Sequence, residues 1–326
     1  MTKKKVLIYG ASGFIGRNLF EGLSENKDLD VYGTYLANKE LNADPPRSHL
    51  WRADLTDRYT ARRLTEGFDI VINAAAVTDG SGAIAKNPAG YVADNMLINS
   101  NLIEAAHLNK IGQFIFLSCS IVYPKHNLKP VDELSVHERE IEPAYRIWAK
   151  LKLFGEELCR FYSDLGQTRF TVLRHSNIYG PYDKFDLARG HVFAATIAKV
   201  MSTADTVTVW GDGSEKRDFL HVQDFVTAVR LVMEKSLTNY EVFNIGSGTL
   251  LSIKELVDKI NNISGRNIPV IYDVARQSID TTIALDTSLA RNVLGWQPHI
   301  DIDYGIRQTI DWYQNMQINK TKGAQW

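Results

Sequence analysis

Val6-Leu7-Ile8-Tyr9-Gly10-Ala11-Ser12-Gly13-Phe14-Ile15-Gly16 is the stretch that decides the reading of this chain. Four apolar residues form a strand, and Arg17-Asn18-Leu19-Phe20-Glu21-Gly22-Leu23 continues as a helix-compatible stretch. The three glycines sit between, at the spacing of a dinucleotide-binding turn. Gly10 allows the tight turn, Gly13 lets the backbone approach a pyrophosphate, and Gly16 lets the helix pack on the strand. The helix N-terminus then presents unpaired N–H groups to phosphate. Gly10, Ser12, Gly13, Phe14, Ile15 and Gly16 are the expected cofactor contacts.

Beyond this turn, apolar runs alternate with amphipathic stretches, the pattern of a doubly wound parallel sheet (Rossmann, α/β). Strands are predicted at Val6–Tyr9, Asp30–Tyr35, His49–Ala53, Ile70–Ala74, Phe114–Ser118 and Thr171–His175. Helices are predicted at Gly16–Leu23, Tyr59–Glu66, Tyr91–Asn109 and from about Tyr145 to Leu165. After Asn177-Ile-Tyr-Gly-Pro181 the alternation weakens and shorter elements follow. The expectation is a cofactor domain over 1–176 plus about 219–244 and a smaller α/β substrate-binding domain over about 177–218 plus 245–318. The polar tail from Asn319 to Trp326 is expected to fray.

With 326 residues and 44% hydrophobic content the chain can build one large or two modest cores. A net charge of −1 gives no electrostatic case for nucleic acid or an anionic membrane surface. Cys119 and Cys159 are far apart and suit a reducing cytosol rather than a disulfide framework or metal site. No run approaches membrane-span length, and the apolar run after Lys3-Lys4-Lys5 is too short for a signal peptide. A cytoplasmic protein without a metal is expected.

Further motifs appear in order. They are Asp54-Leu55; Asn73-Ala74-Ala75-Ala76; Asn95 with Asn101-Leu-Ile-Glu-Ala-Ala106; Arg174-His175-Ser176-Asn177-Ile178-Tyr179-Gly180-Pro181; Trp210-Gly211-Asp212-Gly213 through His221-Val222; and Leu294-Gly295-Trp296-Gln297-Pro298. Together they resemble the extended short-chain dehydrogenase/reductase family, in particular its NAD(P)-dependent nucleotide-sugar epimerases, dehydratases and reductases. Ser120-Ile121-Val122-Tyr123-Pro124-Lys125 and Gly190-His191-Val192 resemble the GDP-fucose synthase-like 4-keto-sugar reductases. The resemblance implies that Asp54 and Leu55 meet the adenine and that Ala74, Ala75 and Ala76 lie along the cofactor. Asn95, Lys152 and His175 join that cofactor set. It further implies Asn177, Trp210, Arg217 and Arg276 as handles on a nucleoside-diphosphate sugar, Arg217 and Arg276 clamping the diphosphate, and a homodimer built from Tyr91–Asn109 and Tyr145–Leu165.

NAD-preferring members carry an acid at the end of the second strand to hold the ribose hydroxyls. Here the region reads Tyr32-Gly33-Thr34-Tyr35-Leu36-Ala37-Asn38-Lys39, without an acid. A 2′-phosphate would meet hydroxyls, an amide and Lys39, with Arg17 a further cation. NADP is the favoured cofactor, with NAD as the alternative.

The family's chemistry needs a tyrosine that exchanges a proton with the sugar oxygen, a lysine four residues later, and a serine or threonine hydrogen-bonded to the same oxygen. In Tyr145-Arg146-Ile147-Trp148-Ala149-Lys150-Leu151-Lys152-Leu153-Phe154-Gly155-Glu156, Lys152 and Glu156 fit the family's lysine–glutamate spacing. The residue four before Lys152 is Trp148, whose indole donates a hydrogen bond but has no transferable phenolic proton. Tyr145 lies roughly 10 Å from Lys152 along a regular helix. The serine position holds Cys119, between Ser118 and Ser120. A 4,6-dehydratase's Asp-Glu pair is replaced by Ser120 and Ile121, and the cysteine of a double epimerase by Ile121, while His191 matches its histidine. Two readings stay open. In one, an irregular helix start brings Tyr145 into the site with Ser118 or Ser120, making an oxidoreductase (4-keto reductase or C4 epimerase). In the other, the fold is a nucleotide-binding regulatory or scaffold protein.

Overall fold

The computed structural model describes residues 2–37, 49–78, 87, 89–124, 129–187, 189–203, 205–235, 237–276 and 281–321. Its organising element is a sheet of seven parallel strands: β1 (Lys4–Tyr9), β2 (Leu29–Tyr35), β3 (Leu50–Arg52), β4 (Ile70–Asn73), β5 (Gln113–Cys119), β6 (Arg169–His175) and β10 (Tyr240–Ile245). They lie side by side in the order β10-β6-β5-β4-β1-β2-β3. The order reverses at β1, and it is there that a doubly wound sheet opens a crevice at its carboxyl edge.

Both faces are covered, which explains why the strands read as continuous apolar runs. On one face pack α1 (Phe14–Ser24), α6 (Val222–Glu234) and α8 (Ser288–Leu294) through Leu19, Phe20, Leu23, Phe225, Val229 and Leu294. On the other lie α2 (Arg58–Thr65), α3 (Val92–Leu108) and α4 (Arg146–Leu165), through Ala61, Leu64, Leu102, Ile103 and Cys159. The Leu-Gly-Trp motif belongs to this packing rather than to chemistry. Gly295 ends α8 in the left-handed conformation at φ 72°. The buried Trp296 then donates its indole N–H to the Asp224 carbonyl at 3.0 Å. Truncating such a side chain to alanine costs about 3–5 kcal/mol.

A second group of elements stands at the carboxyl edge. β9 (Lys216–His221) pairs parallel with β7 (Asn177–Tyr179) and antiparallel with β11 (Leu250–Ser252); β8 (Val207–Trp210) pairs with β12 (Val270–Asp273). With α5 (Val192–Ser202), α7 (Ile253–Ile263) and α9 (Ile302–Thr321) they enclose their own core around Phe193, Ile197, Leu256, Ile260 and Ile310. After β9 the chain returns to the large sheet through α6 and β10. The expected frayed tail is corrected at its start: α9 continues through Asn319 to Thr321. Residues 322–326 lie outside the described residues.

Candidate active site

The glycine turn is a steric necessity at two of its three positions. Gly10 has φ 77°, and a Cβ there would stand 2.7 Å from Ala75 Cα. A Cβ on Gly16 would stand 2.1 Å from the Gly10 carbonyl oxygen, so α1 rests directly on the end of β1. Gly13 is different: its Cβ would meet only the Gly10 oxygen, at 3.3 Å. It is the N-cap of α1, makes no side-chain cap, and is followed by a first turn with no acid. A side chain at Gly13 would therefore project into the space before the helix N-terminus, where a phosphate is favoured by N–H groups and dipole alike. This cradle fits a dinucleotide pyrophosphate. Ser12, Phe14 and Ile15 line the turn half-buried.

The loop after β4 forms the next wall. Ala74 and Ala75 are half-buried and Ala76 is exposed. Asn95 is a holder of this wall: its amide donates to the Val77 and Tyr91 carbonyls at 2.8 and 2.7 Å, and its oxygen accepts from Val77 N–H at 3.0 Å. With both N–H donors engaged, it positions the loop rather than donating to a cofactor. Asp54 is exposed, with Oδ1 closing a turn onto Thr56, whereas the Leu55 side chain is buried in the core between sheet and helices. Lys39 lies outside the described residues. Arg17, the other suggested cation, turns instead to Glu21 at 2.9 Å and lies over the Tyr182 ring at 4.0 Å.

The floor is made by the ends of β5 and β6. Cys119 and His175 are register partners there. Of the two lysines on α4, Lys150 is exposed, while Lys152 turns inward and donates to the Leu117 carbonyl at 2.7 Å. Burial lowers the Lys152 pKa, opposed by Cys119 and Glu156. Burial also raises the Cys119 thiol, with the Lys152 charge working against it. His175 is pushed down to about 4 by burial, and the nearby charges of Lys152 and His191 add to this beyond the pull of its bond to Ser176. It is therefore neutral at neutral pH. His191, exposed, is the N-cap of α5.

Ser118 is removed from the candidate set by its own hydrogen bond. It is fully buried and donates to Glu156 at 2.5 Å. Glu156 also takes a bidentate fork from Arg174, which reaches Tyr123 at 2.9 Å, and Tyr123 donates to Asn244 at 2.6 Å. This buried network ties β5, α4, β6 and β10 together beneath the site. The lysine–glutamate spacing hinted at Glu156; its partners are distant in sequence and carried no signal. Ser120, nearly buried in the 3₁₀ turn after β5, remains the available hydroxyl.

Tyr145 closes a 3₁₀ turn, Pro143–Tyr145, and is the N-cap of α4, so the helix does begin irregularly. Its side chain lines a narrow crevice with Ile121, Tyr123, Glu142 and Ile283, next to the end of β5. Trp148 faces Tyr91 instead, their ring centroids 5.9 Å apart.

A cleft of about 370 Å³ opens in the second group of elements, lined by Leu187, Lys199, Thr208, Trp210 and Arg276. Arg276 lies over the Trp210 ring at 5.1 Å and pairs with Asp273 at 3.1 Å. Lys199, which the sequence reading missed, donates to the Thr208 carbonyl at 3.2 Å and has its pKa lowered by burial and by Arg276. Asn177 donates to the Asp218 carbonyl at 3.2 Å. Arg217 is not among the residues lining this cleft: only 11% exposed, it pairs with Glu215 at 3.2 Å and donates to the Lys216 carbonyl. Its neighbour Asp218, fully buried, gathers the N–H groups of Ser247, Gly248 and Leu285, so part of that motif is structural.

Comparison with known proteins converges on one group. GDP-L-fucose synthase of Escherichia coli (strain K12) is 30% identical over 325 residues, covering 96% of this chain and 97% of that protein. GDP-mannose 3,5-epimerase of Arabidopsis thaliana is 28% identical, covering 98% of this chain and 85% of that protein. The crystal structure of UDP-glucuronic acid 4-epimerase from Bacillus cereus, in complex with UDP-glucuronic acid and NAD, superposes with a TM-score of 0.82 at 25% identity, covering 96% of this chain and 99% of that one. With the glycine turn, the inward lysine and the family's match over residues 6–246, the chain belongs to the NAD dependent epimerase/dehydratase family.

Proposed function

We propose that this protein is an NADP-dependent oxidoreductase acting on a nucleoside-diphosphate sugar, as a 4-keto reductase or C4 epimerase in polysaccharide or deoxysugar assembly, working in the cytoplasm as a homodimer. The observation that carries the reading is Lys152, folded onto the β5 end beside Cys119 and His175 while the neighbouring Lys150 stays in solvent. Lys152 would hold the nicotinamide ribose, and the N-terminus of α1 the pyrophosphate. Trp210, Lys199 and Arg276 would hold the sugar nucleotide, a guanidinium fork and an ammonium both suiting diphosphate oxygens. Arg217 would complete the clamp by exchanging Glu215 for phosphate.

The bound dinucleotide supplies the hydride that reduces a C4 ketone. The chain must then deliver one proton to the new alkoxide oxygen. Tyr145 is assigned that proton and Ser120 the hydrogen bond to the same oxygen, since Ser118 is engaged by Glu156. His175, neutral and donating to the Ser176 carbonyl, is a poor donor to substrate; His191, exposed at the N-cap of α5, is the next carrier proposed.

A second reading is favoured by one observation, the placement of Trp148 against Tyr91 in the tyrosine's frame position. In it the fold binds nucleotides as a regulatory protein. The deciding experiment incubates purified protein with 4-keto nucleoside-diphosphate sugars and NADPH, following loss of reduced-cofactor absorbance. Turnover establishes the enzyme. No turnover with any sugar, alongside calorimetric binding of cofactor and sugar nucleotide, establishes the regulatory reading.

A further inference from the structure

Arg52 ends β3 in register with Tyr35, the last residue of β2. Tyr35 stands at the strand end where NAD-preferring members place the acid that holds the adenosine ribose. Two pairs earlier, Gly33 and Leu50 are partners, and a Cβ on Gly33 would meet Ala11 Cβ at 2.5 Å and Leu50 Cδ2 at 3.0 Å. That pair faces α1 and the glycine turn. Side chains alternate along a strand, so Tyr35 and Arg52 would face across the β2 and β3 ends from one another on this same side. Arg52 is exposed, and its Nε donates to the Leu36 carbonyl at 3.2 Å, which holds the root of the guanidinium at the end of β2. The neighbouring Leu36 is itself 54% exposed.

We propose that Arg52 recognises the 2′-phosphate of NADP and so sets the choice of cofactor, an inference that rests on the dinucleotide site proposed above. The adenosine ribose belongs at the end of β2. A phosphate on its 2′-oxygen carries close to two negative charges and wants a planar donor fork. Arg52 supplies the fork from the adjacent strand, and no acid in the stretch Tyr32–Ala37 opposes it. Arg52 thus offers a cation from β3 in addition to Lys39, which the sequence places after β2 and which lies outside the described residues.

Calorimetry on the whole chain tests this without turnover, because 2′,5′-ADP and 5′-AMP differ only in the phosphate concerned. The wild type binds 2′,5′-ADP more tightly than 5′-AMP. Arg52→Ala loses about 10- to 100-fold in affinity for 2′,5′-ADP, the scale of a lost charged hydrogen bond, and keeps its affinity for 5′-AMP. Arg52→Lys, which keeps the charge and loses the fork, falls between. Retained 5′-AMP binding also shows that the variant is folded. An unchanged preference in Arg52→Ala overturns the assignment, as does an equal loss for both ligands, which would make Arg52 a prop for the strand end. A wild type without preference overturns the NADP choice, and one that binds neither ligand overturns the dinucleotide site itself.

Discussion

Trp148 and Tyr91 face each other across α4 and the start of α3, ring centroids 5.9 Å apart and planes tilted by 49°. The indole therefore fills, with an aromatic contact, the frame position from which relatives offer a phenol four residues before the lysine. Trp148→Tyr restores that spacing. If the site lacks an efficient proton donor, this variant gains roughly 10²-fold in turnover of a 4-keto nucleotide sugar, the low end for general acid catalysis. Steady-state kinetics decides it, and an unchanged rate assigns the proton to another group.

Tyr145 is the group proposed for that role. Tyr145→Phe removes one oxygen from the crevice beside Ile121 and Tyr123 and leaves the ring. Loss of at least about 10²-fold in kcat is expected, with little change in KM. Lys152→Ala is expected to lose as much in kcat and to weaken cofactor binding as well, since it removes the ammonium bonded to Leu117. Full activity in Tyr145→Phe would pass the role to His191 or Ser120.

The glycines separate binding from folding. Gly13→Val places a side chain before the helix N-terminus at the cost of one 3.3 Å contact, so the protein stays folded and loses dinucleotide affinity in calorimetry. Gly16→Ala drives a Cβ to within 2.1 Å of the Gly10 oxygen and lowers the unfolding midpoint. A stable Gly16→Ala protein with normal affinity would contradict the steric account.

The sheet was legible because its signals are local: apolar runs, a glycine turn, and helices of regular spacing. The inward turn of Lys152 was legible for the same reason, from the Lys152–Glu156 spacing on one helix face. What sequence could not give was pairing over distance. Ser118 looked as available as Ser120 until Glu156, 38 residues on, was seen to hold it. Asn95 resembled a cofactor ligand, yet its amide is engaged by Val77 across 18 residues. Arg52 carried no motif at all, and only the β2–β3 register brings it to Tyr35.

Asp183 makes stability depend on pH. It is buried, its Oδ2 has no hydrogen-bond partner among the described residues, and burial pushes its pKa up to about 7. An unfolded aspartate ionises near 3.9, so the native state holds this proton more tightly. The stabilisation is complete below about pH 4 and is lost as pH rises to about 7. Asp183→Asn, neutral throughout, is expected to be more stable than wild type at pH 8 by on the order of 3–4 kcal/mol and similar to it at pH 4. Urea unfolding at both pH values checks this; a difference that does not change with pH would deny the buried titration.

The outer face of α4 carries a stripe of exposed apolar side chains. Ile147, Phe154, Phe161 and Leu165 are exposed by 45, 43, 55 and 59%, and their spacing of seven, seven and four puts them on one stripe. On the neighbouring α3, Met96, Leu97 and Leu108 are exposed by 47, 47 and 42%. Exposed apolar side chains grouped in this way mark an association site, and the proposed dimer would close it with two helices from each chain as a four-helix bundle. Light scattering at micromolar concentration should give twice the 36.8 kDa mass of one chain. Phe154→Glu with Phe161→Glu should give the single mass with an unchanged circular dichroism spectrum, because neither side chain belongs to the buried core. A wild type that is already monomeric would leave the stripe without its second copy and would remove the homodimer from the proposed function.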